Sequence, residues 1–144
     1  MNQKTMKHQI IILSVIIVLT SCNQKQEPIL ITSADFNKSV DKVGEVMVHD
    51  IFSPPVASRV FAYPNIAAYE IIAQNNDDYK SLAGQVTDLK SIPKADTLQP
   101  LNFQLAALIA HIDLSKRLIF SEQKIEVYRD NLSVALRYKS KSFS

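Results

Sequence analysis

Only two glycines, Gly44 and Gly84, occur among the 144 residues, and this scarcity is the strongest constraint on the fold. Sheets of short antiparallel strands need glycine in their tight turns, where the backbone often takes a positive φ angle. The composition therefore disfavours an all-β domain. It favours an all-α fold, which we expect to be a small bundle of about four helices.

Helical spacing of apolar residues supports this expectation in the first half of the chain. Steps of three and four mark one helical face, which comprises Phe36, Val40, Val43, Met47 and Ile51. Asp35 is the expected N-cap of this first helix. Ser53 and Pro54 are typical of a second helix start, as cap and first helical residue. Pro64 lies within the second helix, which we expect it to kink or interrupt.

The sequence of the second half of the chain predicts two more helices, which follow a stretch without clear apolar spacing. The run 75–78 is Asn-Asn-Asp-Asp and indicates a turn. A short helical piece is expected near Ser81–Val86, and apolar spacing returns from about Leu101. A last helix should begin at Ser121, and the polar residues 139–144 should fray.

The first 21 residues have the pattern of a bacterial secretion signal. Lys4 and Lys7 precede the apolar run 10–19, which as a helix would reach about 15 Å, against roughly 30 Å of bilayer hydrocarbon. This length suits a signal peptide better than an uncleaved anchor helix. The run ends in Leu-Thr-Ser-Cys, which resembles a lipobox with Cys22 as the lipidated residue. We expect acyl chains on Cys22 to hold a bacterial lipoprotein to a membrane of the cell envelope.

The charge balance after this cleavage gives no reason to expect nucleic acid as a partner. Loss of Lys4 and Lys7 from the 16 basic side chains leaves 14, equal to the 14 acidic ones. Cys22 is the single cysteine, so no internal disulfide is possible. We interpret residues 22–35 as a tether and residues 36–138 as the helical region.

Four stretches resemble a known enzyme superfamily. They are Val48–Glu70 (VHDIFSPPVASRVFAYPNIAAYE), Ser81–Gln85 (SLAGQ), Ala106–Ala110 (AALIA) and Leu118–Ser121 (LIFS). They are similar to the N-terminal region of lipoprotein-type members of the vanadium-dependent haloperoxidase and type 2 phosphatidic acid phosphatase (PAP2) superfamily. The resemblance implies the N-terminal portion of a larger all-helical fold with a vanadate or phosphate site. In phosphatase members a histidine attacks phosphorus, a second handles the leaving group, and basic side chains hold the oxygens.

None of the three site motifs of that superfamily occurs in this sequence. Lys-x6-Arg-Pro and Pro-Ser-Gly-His are absent. Ser58-Arg59 matches the start of Ser-Arg-x5-His-x3-Asp, but Asn65 and Tyr69 stand where the histidine and aspartate should be. We therefore expect no catalytic residue and no bound vanadate or phosphate in this chain. A truncated or frame-shifted gene is the simplest account, with the missing C-terminal half as packing partner.

The remaining candidate residues have structural interpretations. Asp50, Arg59 and Glu70 flank apolar helical segments, where a buried charge needs a partner. We predict an ion pair of Arg59 with Asp50 or Glu70 across the Pro-Pro corner. His49-Asp50 and His111-x-Asp113 are too sparse for a metal site, so none is expected.

Two hypotheses of function remain open from the sequence. The first is a lipid-anchored N-terminal helical part of a haloperoxidase- or PAP2-like enzyme, inactive without its catalytic half. The second is a complete small helical lipoprotein that acts as an interaction module in the envelope.

Overall fold

The structure is a computed structural model that describes residues 29–96, 98 and 101–142. These residues form four helices and no strand: α1 (Ser33–His49), α2 (Pro54–Ala73), α3 (Phe103–Lys116) and α4 (Glu122–Ser142). The prediction of an all-α bundle of about four helices is confirmed. The signal region and its boundary at Cys22 lie outside the described residues.

Helix α1 begins three residues earlier than the apolar spacing predicted. Its N-cap is Thr32 and not Asp35, because the Thr32 side chain accepts from the Asp35 amide while the Asp35 carboxylate accepts from the Thr32 amide. This reciprocal capping box satisfies two amides that would otherwise lack a partner. Ser33 to Asp35 therefore belong to the helix and not to the tether.

Helix α1 ends in a turn that places Ile51 in an unfavourable conformation. The amide of Phe52 donates to the carbonyl of Met47, and the amide of Ile51 donates to that of Val48. This pair of bonds is the Schellman motif, whose residue after the C-cap takes a left-handed conformation and is usually glycine. Here that residue is Ile51, with φ 54°. Its side chain was predicted to continue the buried face, but it is 88% exposed because the helix has already ended.

Replacing Ile51 by glycine should raise the free energy of unfolding by about 1 kcal/mol. A left-handed conformation costs a residue with a Cβ roughly 1–2 kcal/mol, and the greater freedom of glycine in the unfolded chain offsets only part of the relief. Chemical denaturation of both proteins measures the difference. Ile51→Val, which keeps the branched Cβ, is the matched control and should give no gain. An unchanged stability of Ile51→Gly would contradict the strain.

Helix α2 continues through Pro64, contrary to the predicted interruption. Pro54 occupies the first turn as expected, where its missing N–H has no helical partner to lose. Pro64 is buried, and on the next residue Asn65 Nδ2 donates to the Phe61 carbonyl over 2.8 Å. Packing of the surrounding helix outweighs the local penalty of one proline.

Residues 74–102 connect α2 to α3, and residues 74–96 and 101–102 of this connection form no helix. The piece expected to be helical near Ser81–Val86 is a turn, in which the amides of Gln85 and Val86 both donate to the Leu82 carbonyl. Asn102 caps α3 by accepting from the Leu105 amide, and its Nδ2 donates to the Ile29 carbonyl. These bonds hold the C-terminal end of the connection to α3 and to the segment that precedes α1.

The core lies where α1, α3 and α4 meet the first half of α2. Its most buried members are Val43, Val46, Met47, Val60, Leu108, Ile112, Ile119 and Ile125. Helix α2 packs most extensively against α3. Two ion pairs join α3 to α4, Asp113 with Arg129 and Lys116 with Glu126. Their side chains are largely solvated, so these pairs contribute little to stability. Helix α4 extends to Ser142, beyond the residue at which fraying was predicted to begin.

Candidate functional site

Asp50 joins the end of α1 to the start of α4. Its side chain is 3% exposed. Oδ2 accepts from the amides of Phe120 and Ser121, each over 3.0 Å, and Oδ1 accepts from the Ser121 hydroxyl. His49 Nδ1 lies 3.2 Å from the same Oδ1. We call these four residues the Asp50 cluster.

The hydrogen bonds of the cluster favour the charged form of Asp50. Burial alone raises the pKa of this carboxyl group, but the bonds from Ser121, His49 and Phe120 outweigh it and lower the pKa from 3.8 to about 2. Asp50 is therefore ionised at neutral pH, and most of its hydrogen bonds come from hydroxyl and backbone N–H donors. The charge is stabilised by donors that precede α4, where the positive end of the helix dipole also favours an anion.

The Asp50 cluster contains serine, histidine and aspartate, yet its connectivity does not support nucleophilic catalysis. An activated serine needs a base that takes its proton, with the acid on the other ring nitrogen of that base. Here Ser121 donates its proton to Asp50, and both residues approach the same His49 atom, Nδ1, at 3.3 and 3.2 Å. The cluster therefore acts as a structural junction between two helix ends.

Glu70 holds the connection between α2 and α3 onto the bundle. The residue is buried at 3% exposure. Oε2 accepts from the Ser81 hydroxyl and Oε1 accepts from the Leu82 amide, both over 2.6 Å. Tyr69 adds a bond from its hydroxyl to the Lys80 carbonyl. These contacts fix the turn 81–86 that sequence spacing predicted as a helix.

Replacing Glu70 by alanine should release this connection and lower the free energy of unfolding by about 1–2 kcal/mol. The Leu82 amide and Ser81 hydroxyl lose a charged acceptor, although both lie close enough to solvent for water to replace part of the loss. Hydrogen exchange of the Leu82 amide should become at least about tenfold faster. Glu70→Gln keeps one acceptor oxygen, so its stability and its exchange rate at Leu82 should lie between those of wild type and Glu70→Ala. Unchanged exchange in Glu70→Ala would contradict the anchoring role.

Arg59 forms neither of the ion pairs that the sequence suggested. It is exposed on α2, and in the described part of the chain no ion pair or hydrogen bond joins it to Asp50 or Glu70. The two carboxylates instead accept from hydroxyl and backbone N–H groups, which supply donors without a second buried charge. Asp50 therefore holds the end of α1 to the start of α4, and Glu70 holds α2 to the connection that follows it.

His111 forms a second buried polar contact, between α3 and α1. Its Nδ1 lies 3.1 Å from Ser39 Oγ, and Ser39 Oγ donates to the Phe36 carbonyl. Because the serine proton is already used, Nδ1 must carry the hydrogen and donate it to Ser39. Burial lowers the pKa of His111 from 6.5 to about 4, so the imidazole is neutral at pH 7. On the same helix Ser115 Oγ is buried and has no hydrogen-bond partner among the described residues.

The described residues contain no group of three or more metal-ligating side chains. His111 faces Ser39, whereas Asp113 pairs with Arg129, so these two do not converge. Cys22, the predicted lipidation site, lies outside the described residues. No helix in residues 29–96 and 101–142 is long and apolar enough to cross a membrane.

An oxyanion such as phosphate or vanadate finds no suitable cradle among the described side chains. Lysines gather at a groove of about 780 Å³ between α1 and α4, but Asp41 and Glu45 line it too, and Lys42 pairs with Glu45 over 2.7 Å. Burial, with Asp35 and Asp41, raises the pKa of Tyr128 there, which indicates an environment unfavourable to anions. His111 is buried on Ser39 and His49 lies beside a carboxylate. The described basic and histidine side chains therefore do not form a site that fits phosphate or vanadate.

A second groove, of about 650 Å³, lies between α1, α2, α3 and the connection. None of the described residues that line it is charged; Phe36, Ile66 and Tyr69 are among its apolar members, and Asn37, Asn65 and Gln104 provide amides. Tyr69 borders this groove, and its hydroxyl donates to the Lys80 carbonyl.

Comparison with known proteins relates the chain to one enzyme family. No protein-family model and no curated protein matches the sequence. The crystal structure of a bacterial vanadium-dependent iodoperoxidase matches it with 54% sequence identity and a TM-score of 0.75. The match covers 83% of this chain and 31% of the iodoperoxidase. The chain is therefore a relative of the vanadium-dependent haloperoxidases that spans less than a third of the length of this enzyme.

Proposed function

We propose that this chain supplies a helical, non-catalytic part of a vanadium haloperoxidase- or PAP2-like protein and is held at the bacterial cell envelope by lipid on Cys22. The observation that carries the proposal is the 54% identity to an iodoperoxidase of which the chain spans 31%. The part of the enzyme that the chain resembles is thus far smaller than the whole enzyme. The sequence of this chain contains none of the three site motifs of the superfamily.

Exposed apolar side chains on α2 support a role as part of a larger assembly. Val56 and Phe61 are each 39% exposed and Tyr63 is 48% exposed, in a helix with only two charged residues. Surfaces of this kind commonly pack against further protein. The oxyanion groups of the superfamily find no fitting site among the described residues, so we assign no chemical step to them.

A hybrid enzyme tests the structural part of the proposal. This chain would replace the matching 31% of the bacterial iodoperoxidase. We expect the hybrid to unfold cooperatively and to bind vanadate, whereas this chain alone should bind none in an isothermal titration. A hybrid that fails to fold, together with cooperative unfolding of this chain alone, would instead favour a complete envelope module.

Metabolic labelling with a radioactive fatty acid tests the anchor. The wild-type chain should carry label in the envelope fraction, and Cys22→Ser should carry none because the hydroxyl does not replace the thiolate nucleophile. Ser21→Ala is the matched control, since it keeps a small residue before the cysteine and should retain the label. Equal labelling of wild type and Cys22→Ser would overturn the anchor.

A further inference from the structure

Three large apolar side chains project into solvent at one corner of the bundle. Val48 is 80% exposed, Ile51 is 88% exposed and Phe120 is 79% exposed. The first two flank the end of α1, and the third belongs to the turn between α3 and α4. The two segments meet there because the Phe120 amide donates to Asp50. We call these three residues the corner patch.

The corner patch is held rigidly on the core. The ring of Phe120 lies against that of Phe52, with centroids 4.9 Å apart, and Phe52 in turn packs on the core. The Asp50 cluster fixes the backbone of both segments from the other side. A preorganised apolar surface loses little conformational freedom when it binds, which favours its use as an interface.

Ile51 combines an unfavourable backbone conformation with a side chain that packs against almost nothing in the described residues. A β-branched residue with φ 54° is an uncommon and strained choice where glycine would fit. Its exposure of 88% means that it contributes almost no packing in return. Strained residues persist where the structure around them, or a partner, makes use of them.

We infer that the corner patch is the surface that docks onto the remaining part of a haloperoxidase-type protein, an inference that rests on the proposed function. In the iodoperoxidase the matched region is 31% of the chain, so most of that protein lies outside it and can cover this region. The patch carries no charge, and the exposed His49 side chain borders it. An apolar centre with a polar rim is the usual anatomy of a protein interface, so the counter-surface is apolar and uncharged.

The test compares patch variants in two settings, this chain alone and the hybrid enzyme described above. The variants are Phe120→Ser and Ile51→Asn, since asparagine tolerates the left-handed conformation. In the chain alone we expect Tm to fall by no more than about 1 °C for Ile51→Asn, whose side chain is exposed, and by about 3 °C for Phe120→Ser, which loses its ring contact with Phe52. In the hybrid we expect each variant to lower Tm by at least about 4 °C more than it does in the chain alone. Leu98→Ser, at 92% exposure in the connection, is the matched control and should leave both proteins unchanged.

Two results would overturn the inference, and a third would overturn the proposal beneath it. A hybrid that folds and binds vanadate, but whose patch variants lower Tm no more than they do in the chain alone, would exclude docking at the patch. A dimer of this chain in analytical ultracentrifugation that dissociates in Phe120→Ser would assign the patch to a second copy. A hybrid that does not fold, together with cooperative unfolding of this chain alone, would overturn the proposed function itself.

Discussion

Replacing Asp50 by alanine should lower the free energy of unfolding by about 3 kcal/mol. The substitution removes an acceptor that is 3% exposed and leaves two amides, those of Phe120 and Ser121, and one hydroxyl without their partner. Each unsatisfied group costs roughly 1–3 kcal/mol, reduced here because water can reach a turn whose Phe120 side chain is exposed. Urea denaturation followed by circular dichroism measures the loss.

Two control variants separate the charge of Asp50 from its shape. Asp50→Asn keeps an oxygen for the two amides and offers Ser121 a donor, so we expect a loss of only about 1 kcal/mol. Ser121→Ala removes one hydroxyl bond and should also cost about 1 kcal/mol. Stability of Asp50→Ala within about 0.5 kcal/mol of wild type would contradict the junction role.

The lowered pKa of Asp50 adds a pH signature to the same variants. Because the folded pKa lies near 2 and the unfolded value is 3.8, the unfolded chain binds the proton first as pH falls. The contribution of the charge is complete above pH 3.8 and is lost as pH falls towards 2. Asp50→Asn lacks this titration, so its stability difference from wild type should shrink over that interval.

The helical architecture was accessible from the sequence because it depends on local patterns. Glycine scarcity, apolar spacing and the Ser53-Pro54 start are features of neighbouring residues, and they correctly predicted four helices. The errors at helix ends are also local. Thr32 and Asp35 form a capping box that the spacing of apolar residues did not reveal. Ile51 occupies the position after the C-cap, where a glycine in the sequence usually marks the helix end.

The polar contacts of the candidate site were not accessible in this way. Asp50 and Glu70 were identified as charges that needed partners, but Arg59, the one basic residue between them along the sequence, was the wrong choice. Their partners are 71 and 11 residues away for Ser121 and Ser81. Serine hydroxyls and backbone amides carry no charge pattern in a sequence. They reach a carboxylate only through the tertiary fold, which brings α4 to Asp50 and the connection to Glu70. The contact of His111 with Ser39, 72 residues apart, likewise depends on the packing of two distant helices and has no signal in the local sequence.

Acidification should weaken the fold through His111 at pH values well above those at which Asp50 titrates. The folded pKa near 4 lies below the unfolded value of 6.5, so the unfolded chain binds this proton first. The contribution of neutral His111 to the free energy of unfolding is fully present above pH 6.5. Between pH 6.5 and pH 4 it is lost by up to about 1.4 kcal/mol for each unit by which the pH falls. Over the whole interval the loss is on the order of 2–3 kcal/mol, because a buried imidazolium would lose its hydration next to Phe36.

Substitutions at the two histidines distinguish burial from a general effect of acid. His111→Phe keeps an aromatic ring against Phe36, and His111→Asn keeps a donor for Ser39; either can lower stability at neutral pH, but both should abolish the slope between pH 6.5 and 4. His49→Asn is the matched control. The His49 side chain is 57% exposed, so the dependence of stability on pH between 6.5 and 4 should be the same in this variant as in wild type. Urea denaturation at half-unit pH steps measures each slope. Buried, neutral His111 has a folded pKa near 4 and an unfolded pKa of 6.5, so its titration accounts for a slope between these pH values. A slope that persists in His111→Phe would therefore show that another group titrates there.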